Sequence, residues 1–404
     1  MAMKQTQTKM FDFSDVGLDF CAGSKNKFPE VFKKMLATGF NTQTVSSVSI
    51  TGNQVTLTYG MNHGYVAGRV LQLNAVNLSG EFIIDSVTSN TVKLTIDQPL
   101  GTVAGGFSTY VAPLGMQLVY EQANIHVYKF KSLDESDLYL RLCFQTNAMQ
   151  RNVVAPCIGK TIDINTGFIT DIYALADTKT RLTALPNNNW GFTYAAEATY
   201  NDSTYGAGLS LYGKGCVVGS LYHLLFLYSS SNSGGGGRIS GFLPTSCLNY
   251  AQLNYPCLLV EDDTRALTSN GDAYGLPRLR AYVGNIKAMG DPIRSASSAT
   301  TSYFPTTPRA YSSFTSLDAF NTTCAEPMRL YEFNTDQFIG FTMGMYVCAY
   351  DATNTPPVTR DLTPSVSSDI DLNSKIMIHP VFRASQQQDA IFFAIPIEEI
   401  KIGT

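Results

Sequence analysis

The stretch "SSVSITGNQVTLTYGMNHGYVAGRVLQLNAVNLSGEFIIDSVTSNTVKLTIDQPL", Ser46 to Leu100, decides the fold. Val55, Leu57 and Tyr59 alternate after a Thr-Gly-Asn turn. In "RVLQLN" Leu71 and Leu73 share a face with Gln72 between them, and "EFIIDSV" and "TVKLTI" read as a hairpin around "TSN". Successive strand side chains point to opposite faces, so an apolar residue at every second position gives each strand one face to bury. About five such strands in about fifty-five residues, with their own apolar set, suit a small barrel or sandwich able to fold semi-independently.

Outward from this unit the pattern changes on both sides. Upstream, "KNKFPEVFKKMLATGF" reads as a helix: Pro29 fits a first turn, Val31, Phe32, Met35 and Leu36 fall at helical spacing, and Gly39 is a stop. Downstream, "LVYEQANIHVYKFK" and "LYLRLCF" alternate with period two. Leu138, Leu140, Leu142 and Phe144 lie on one face, with Tyr139, Arg141 and Cys143 on the other. These read as antiparallel strands, and they supply the apolar surface the helix needs. The expectation is a mainly β protein: an antiparallel β-sandwich host domain with one N-terminal helix and an inserted small β-barrel or sandwich module. Residues 1–44 with 105–290 form the host, 45–104 the module, and 291–404 a C-terminal β-rich segment packed on or completing the host.

Beyond Pro156 short strand-like runs continue, among them "WGFTYAAEATY", "GAGLSLYGKGCVVGSLYHLLFLY", "GRISGFLP", "RLRAYVG", "RLYEFN", "FIGFTMGMYVCAY", "KIMIHPVFR" and "IFFAIPIEEIKIG". The 22 tyrosines and 23 phenylalanines agree, because aromatics favour pleated, half-buried surfaces. Two segments break the pattern. "SSSNSGGGGR", Ser229 to Arg238, joins two strands as a loop tip or a close-packed turn. "RSASSATTSYFPTTPRAYSSFTS", Arg294 to Ser316, is a long polar segment with few charges, which inside a compact domain points to function or an interaction arm.

Composition narrows the function classes. A chain of 404 residues, 44% hydrophobic and 15% charged, can bury a sizeable core. Its formal charge of -4 offers no basic footprint for phosphates, so nucleic acid is not expected as a main partner. No apolar run of signal-peptide length opens the sequence, and "CVVGSLYHLLFLY" is too short to span a bilayer, so membrane insertion is not expected and synthesis is placed in the cytoplasm. The eight cysteines form no C-x-x-C pair and no zinc-like spacing with the four histidines; most are read as reduced, buried, small apolar side chains.

Catalytic patterns fail one by one. "GLSLYGKG" has the Gly208, Gly213 and Lys214 spacing of a P-loop, yet Gly215 stands where a magnesium-binding hydroxyl belongs and the following stretch reads as strand. Glu261, Asp262 and Asp263 are consecutive, and consecutive strand carboxylates point to opposite faces, which suits a solvated turn better than a glycosidase pair. Asp369 and Asp371 in "SDIDL" stand two apart, and nothing in the sequence fixes the separation that a glycosidase pair needs. His63, His126, His223 and His379 lie within or beside strands and read as satisfied structural histidines, and no nucleophile elbow is present. Trp190, the only tryptophan, reads as buried at a strand start, with stacking on a sugar as the alternative. No catalytic residue, cofactor or metal is assigned, and the expectation is a non-enzymatic protein of assembly and contact.

The stretches "FPEVFKKMLATGFNTQT", "NIHVYKFKSLDESDLYLRLCF", "TGFITD" and "LYGKGCVVGSLYHLLFLYSS" resemble a family of tailed-bacteriophage virion proteins in which an N-terminal helix leads to a "YLRL"-type strand. A "GDG-x-x-x-YLF"-type segment follows in that family; "YGKGCVVGSLYHLLFLY" departs from it by lacking the acid. The inserted unit is similar to small β-modules of phage structural proteins, with a "HG-x-x-x-G" turn at His63, Gly64 and Gly68 and an "L-x-GEF-x-I" strand. The resemblance covers most of residues 25–240. It implies a tail or tail-proximal virion subunit, of a ring or non-contractile sheath, whose partners are identical subunits and other phage tail proteins. The alternative is a receptor-binding or adhesin subunit that meets a host outer-surface receptor. A glycan depolymerase ranks third, because no solenoid period of twenty to fifty residues is present.

Within the polar arm, "SASSATTSYFPTTP", Ser295 to Pro308, carries no charge at all yet holds Tyr303 and Phe304 beside two prolines. A solvated linker normally carries charge, and a core strand does not hold so many hydroxyls. The segment therefore reads as an extended strap satisfied by a neighbour, with Tyr303 and Phe304 as the candidate interface.

Overall fold

The computed structural model describes residues 8–18, 20, 28–98, 100–146, 152–184, 188–192, 215–229, 237–260, 280–290, 326–348, 365–369, 374–381 and 391–397. The protein is mainly β, with one short helix, large antiparallel sheets and a closed barrel. In chain order, strand β1 (Lys9–Asp12) precedes helix α1 (Phe28–Lys33). Next come the barrel strands β2 (Phe40–Thr51), β3 (Gln54–Tyr59), β4 (Val70–Ala75), β5 (Leu78–Val87), β6 (Thr91–Thr95) and β7 (Ser108–Val111), closed in the order β2-β3-β6-β5-β4-β7.

A five-stranded sheet follows, ordered β14-β11-β10-β9-β8, from β8 (Gln117–Gln122), β9 (Ile125–Lys131), β10 (Asp137–Phe144), β11 (Asn152–Gly159) and β14 (Trp190–Phe192). The small pair β12 (Ile162–Asp163) and β13 (Phe168–Ile169) lies between β11 and β14 in sequence. The last sheet has 13 strands. Besides β1 it holds β15 (Gly215–Gly219), β16 (Leu224–Ser229), β17 (Gly237–Leu243), β18 (Thr245–Cys247), β19 (Cys257–Val260), β20 (Arg280–Val283) and β21 (Ile286–Gly290). It continues through β22 (Glu326–Glu332), β23 (Phe338–Val347), β24 (Ser365–Asp369), β25 (Ser374–Val381) and β26 (Ile391–Pro396).

Strand alternation sorts the residues of the large sheet into two cores. Val217, Phe226, Tyr228, Phe242, Leu258 and Val260 pack in one core with α1, the barrel and the five-stranded sheet. Their neighbours Cys216, Val218, Leu225, Leu227, Leu243 and Leu259 pack in a second core with Met328, Ile339, Met377 and Phe393 from β22, β23, β25 and β26. These strands are therefore apolar on both faces and read as continuous hydrophobic runs. Helix α1 sits in the first core, with the Phe32 ring 5.3 Å from Phe226, 5.4 Å from Phe144 and 6.4 Å from Trp190.

Several boundaries differ from the sequence reading, each for a physical reason. The helix is one α-turn and a half followed by a π-helical turn, Lys34–Thr38, because Gly39 donates to the Lys34 carbonyl. The Met35 and Leu36 carbonyls are then free to accept from Leu114 and Met116, just after the barrel. Gly39 has φ +75°, and a Cβ there would meet Tyr110 Cδ2 and the Val111 oxygen at 2.5 Å. Only glycine combines that backbone with that approach.

The barrel has six strands rather than about five, and they run from Phe40 to Val111, beyond the 45–104 bounds on both sides. Phe40 pairs with Val111, so the chain enters and leaves the barrel at adjacent residues. "CVVGSLYHLLFLY" is not one strand but a hairpin, β15 and β16, turned at Ser220–His223 where Ser220 N–H donates to the His223 carbonyl. Strand β11 was hidden by Pro156. It pairs with β10 from Val154 to Gly159 but with β14 only at Asn152–Val154, so among the described residues Pro156, opposite Leu142, has no strand paired on its far side. Strands β22–β26 continue the same sheet as β15–β21.

Candidate interaction surface

The outward face of β18, β23 and β22 gathers large apolar side chains that the two cores do not use. On β23, Phe338, Phe341 and Met343 are 37%, 37% and 36% exposed, while Ile339, Thr342 and Met345 point inward. Arg329 of β22 and Ser246 of β18 flank Phe341 as its strand partners. The next row holds Tyr331, paired with Phe338, and Leu248, whose N–H donates to the Ile339 carbonyl. The Phe338 ring lies 5.6 Å from Tyr331 and 5.1 Å from Phe341, both edge to face. Gly340, at φ +151°, lets β18 approach: a Cβ there would meet the Ser246 oxygen. Contiguous aromatic side chains turned to solvent are a mark of a contact surface.

The residues singled out from the sequence lie elsewhere. Tyr303 and Phe304 lie outside the described residues, as do Gly208, Gly213, Lys214, Glu261, Asp262, Asp263 and Asp371. Gly215 opens β15 and is buried, and Asp369 ends β24. Trp190 is fully buried and donates its indole N–H to the Leu259 carbonyl at 2.8 Å, so it is not presented to a sugar. Among the described residues Cys143, Cys157, Cys216, Cys257 and Cys348 are buried and Cys247 is half-buried, and none of the six is in a disulfide.

All four histidines are buried. His63 accepts the Tyr65 N–H on Nδ1 and meets the Thr91 carbonyl through Nε2. His126 Nδ1 meets the Tyr128 hydroxyl at 2.9 Å, and His223 Nδ1 meets the Ser220 hydroxyl at 2.9 Å. His379 bonds the Arg238 carbonyl through Nε2, but its Nδ1 has no hydrogen-bond partner among the described residues, so it is satisfied only in part.

No protein-family model matches the chain, and no curated protein matches it. Among the described residues no group of three or more His, Cys, Asp or Glu side chains is arranged to hold a metal ion, and no helix is long and apolar enough to cross a membrane.

The structure adds two buried charged groups that period-two reading treats as ordinary strand or turn residues. Arg141, on β10 and fully buried, donates Nε to the Gly167 carbonyl, Nη1 to Thr178 and Nη2 to Arg181, pinning the 164–182 segment to the sheet. Burial holds its pKa below the usual guanidinium range. The second is the pair Asp15 and Arg69, which ties the N-terminal segment to the barrel with bonds of 2.6 and 3.0 Å. Burial pushes the Asp15 carboxyl up against the pull of Arg69, and the carboxylate in turn holds Arg69 above its usual value despite burial. In the same N-terminal segment, Lys9 of β1 donates to Glu81 of β5 at 2.7 Å and to the Pro113 carbonyl.

This seam gives a measurable expectation. Arg69→Met leaves the Asp15 carboxylate buried without its partner and is expected to lower stability by about 3 kcal/mol. The double variant Asp15→Leu/Arg69→Met removes both charges and is expected to recover most of that loss. Urea unfolding of the two variants and of Asp15→Leu completes the cycle. Equal loss in the single Arg69→Met and the double variant would show that the pair does not hold the barrel.

Proposed function

We propose that the chain is a structural subunit of a tailed-bacteriophage virion, part of a ring, sheath or tail-proximal assembly, working through protein–protein contacts. The observation that carries the contact role is the outward aromatic face of β18, β23 and β22. The assignment to a phage tail rests on the resemblance of residues 25–240 described above. The barrel supports it as an inserted decoration: its entry and exit residues, Phe40 and Val111, are strand partners, so its insertion interrupts the host at a single point.

Phe338 and Phe341, each 37% exposed and set edge to face, form apolar surface that a subunit in a closed assembly would bury against a neighbour. The test is direct. The purified chain is expected to sediment as an oligomer of defined size, and cryo-electron microscopy of the virions that carry it is expected to place its density in the tail. A chain that stays monomeric at high concentration and is missing from purified particles is not a virion subunit.

A further inference from the structure

We propose that the β18–β23–β22 face receives residues 295–308 of a second copy of this chain, with Tyr303 and Phe304 seated against Phe338 and Phe341. The proposal rests on the assembly reading above and names the contact through which copies join.

Chemistry matches the two sides. The face offers Phe338, Phe341, Met343 and Leu248 with one cation, Arg329, among them. "SASSATTSYFPTTP" carries no charge and sets two adjacent aromatics between hydroxyl-rich flanks. Joining them desolvates no carboxylate or ammonium on the strap, which is the term that makes most polar surfaces poor partners. Offset and edge-to-face packing of two rings on two rings adds to the area buried.

Connectivity tethers the strap at both ends to strands of the same sheet. The segment 291–325 leaves from Gly290 and returns at Glu326. Gly290 pairs with Leu330, which lies between the face residues Arg329 and Tyr331. Thirty-five residues tethered at both ends can extend roughly 55 Å out and back at about 3.3 Å per residue, far enough to reach an adjoining subunit. The backbone also has a docking edge. Strand β18 pairs with β23 on one side, and among the described residues no strand pairs with its other side. An extended strap laid along Thr245–Cys247 would gain main-chain hydrogen bonds while its aromatics reach the face. Each copy then gives one strap and offers one face, a head-to-tail contact that closes into a ring when the rotation closes.

The experiment uses the full chain carrying Phe341→p-benzoylphenylalanine, mixed with a differently tagged full-length wild type and irradiated. The expected product joins position 341 of one copy to residues 295–308 of the other, located by peptide mass spectrometry. In parallel, Phe341→Ser and Tyr303→Ala/Phe304→Ala are each expected to weaken self-association about tenfold or more by sedimentation, with the combined variant no weaker than the poorer of the two. Phe341 is 37% exposed, so Phe341→Ser is expected to lower the melting temperature somewhat, and the Tyr303→Ala/Phe304→Ala variant, expected to melt as the wild type does, separates a contact defect from a folding one. Cross-links confined to one copy, cross-links to another segment, or additive losses in the combined variant would overturn the proposal while leaving the assembly reading intact. A wild type that does not associate at all removes both.

Discussion

Arg141→Met is expected to lower the unfolding free energy by about 4 kcal/mol, since it takes the guanidinium donor from the buried Gly167 and Thr178 carbonyls, at about 1–3 kcal/mol each, and from the part-buried Arg181 carbonyl. Gly167, Thr178 and Arg181 all give their carbonyls to this one guanidinium, and no methionine atom replaces those donors. Methionine fills much of the space, so the loss reports hydrogen bonding more than cavity formation. The damage should be local first. Amides of the 164–182 segment, such as Ile169 N–H on Lys179 and Arg181 N–H on Thr178, are expected to lose protection from hydrogen exchange. The β9–β10 ladder, Leu138 to Phe130 through Cys143 to Ile125, should keep its protection. Arg141→Lys, with one ammonium in place of a planar fork, should recover only part of the stability. Full protection of the segment in Arg141→Met would show that the carbonyls find other donors.

The second large effect is on acid. Burial holds His126 down to about 4, with Lys33 adding to the effect and Glu121 opposing it. Burial likewise holds His223 down to about 3, and His379 to about 4 against the opposing Arg238 carbonyl. A base whose pKa is depressed on folding is neutral in the folded protein while the unfolded chain takes up a proton near pH 6.5. The unfolded state therefore binds more protons between pH 6.5 and 4, and stability falls as the pH falls through that window. Three such groups give a slope approaching about 4 kcal/mol per pH unit at its steepest. Carboxylates at their usual values titrate near or below the lower end of this window and do not cancel it. Urea midpoints measured from pH 7 to 4, together with proton uptake on unfolding, test the expectation, and His379→Gln should reduce the uptake by about one proton. A stability profile flat from pH 6.5 to 4.5 would contradict the burial of these rings.

Much of the architecture could be read from local pattern because the pattern is set by local geometry. Val55, Leu57 and Tyr59, or Leu71 and Leu73, alternate because a strand with one apolar face must place its side chains so, and these strands do line the barrel. Gly39 marked the end of the helix because a positive φ suits glycine at any helix end. Where both faces are buried, the alternation disappears: "CVVGSLYHLLFLY" lost its turn at Ser220–His223 because apolar residues fill both sides of β15 and β16. The extra barrel strand at Ser108–Val111 is only four residues long, too short to carry a period of its own.

The β class, the single helix, the early small unit and the scarcity of charge were all present in the order of residues, because each follows from side-chain volume, polarity and spacing along the chain. Which residues meet across the fold was settled only when the sheets assembled. Arg141 reads as an outward residue of an alternating strand until the 164–182 segment folds over it, and Asp15 finds Arg69 from fifty-four positions away. The aromatic face of Phe338, Phe341 and Met343 was likewise hidden, because a bulged register with β22 and the added strand β18 turn these three outward while their neighbours enter the core. Contacts between distant positions depend on sheet order and crossover, and neither has a local signal in the chain.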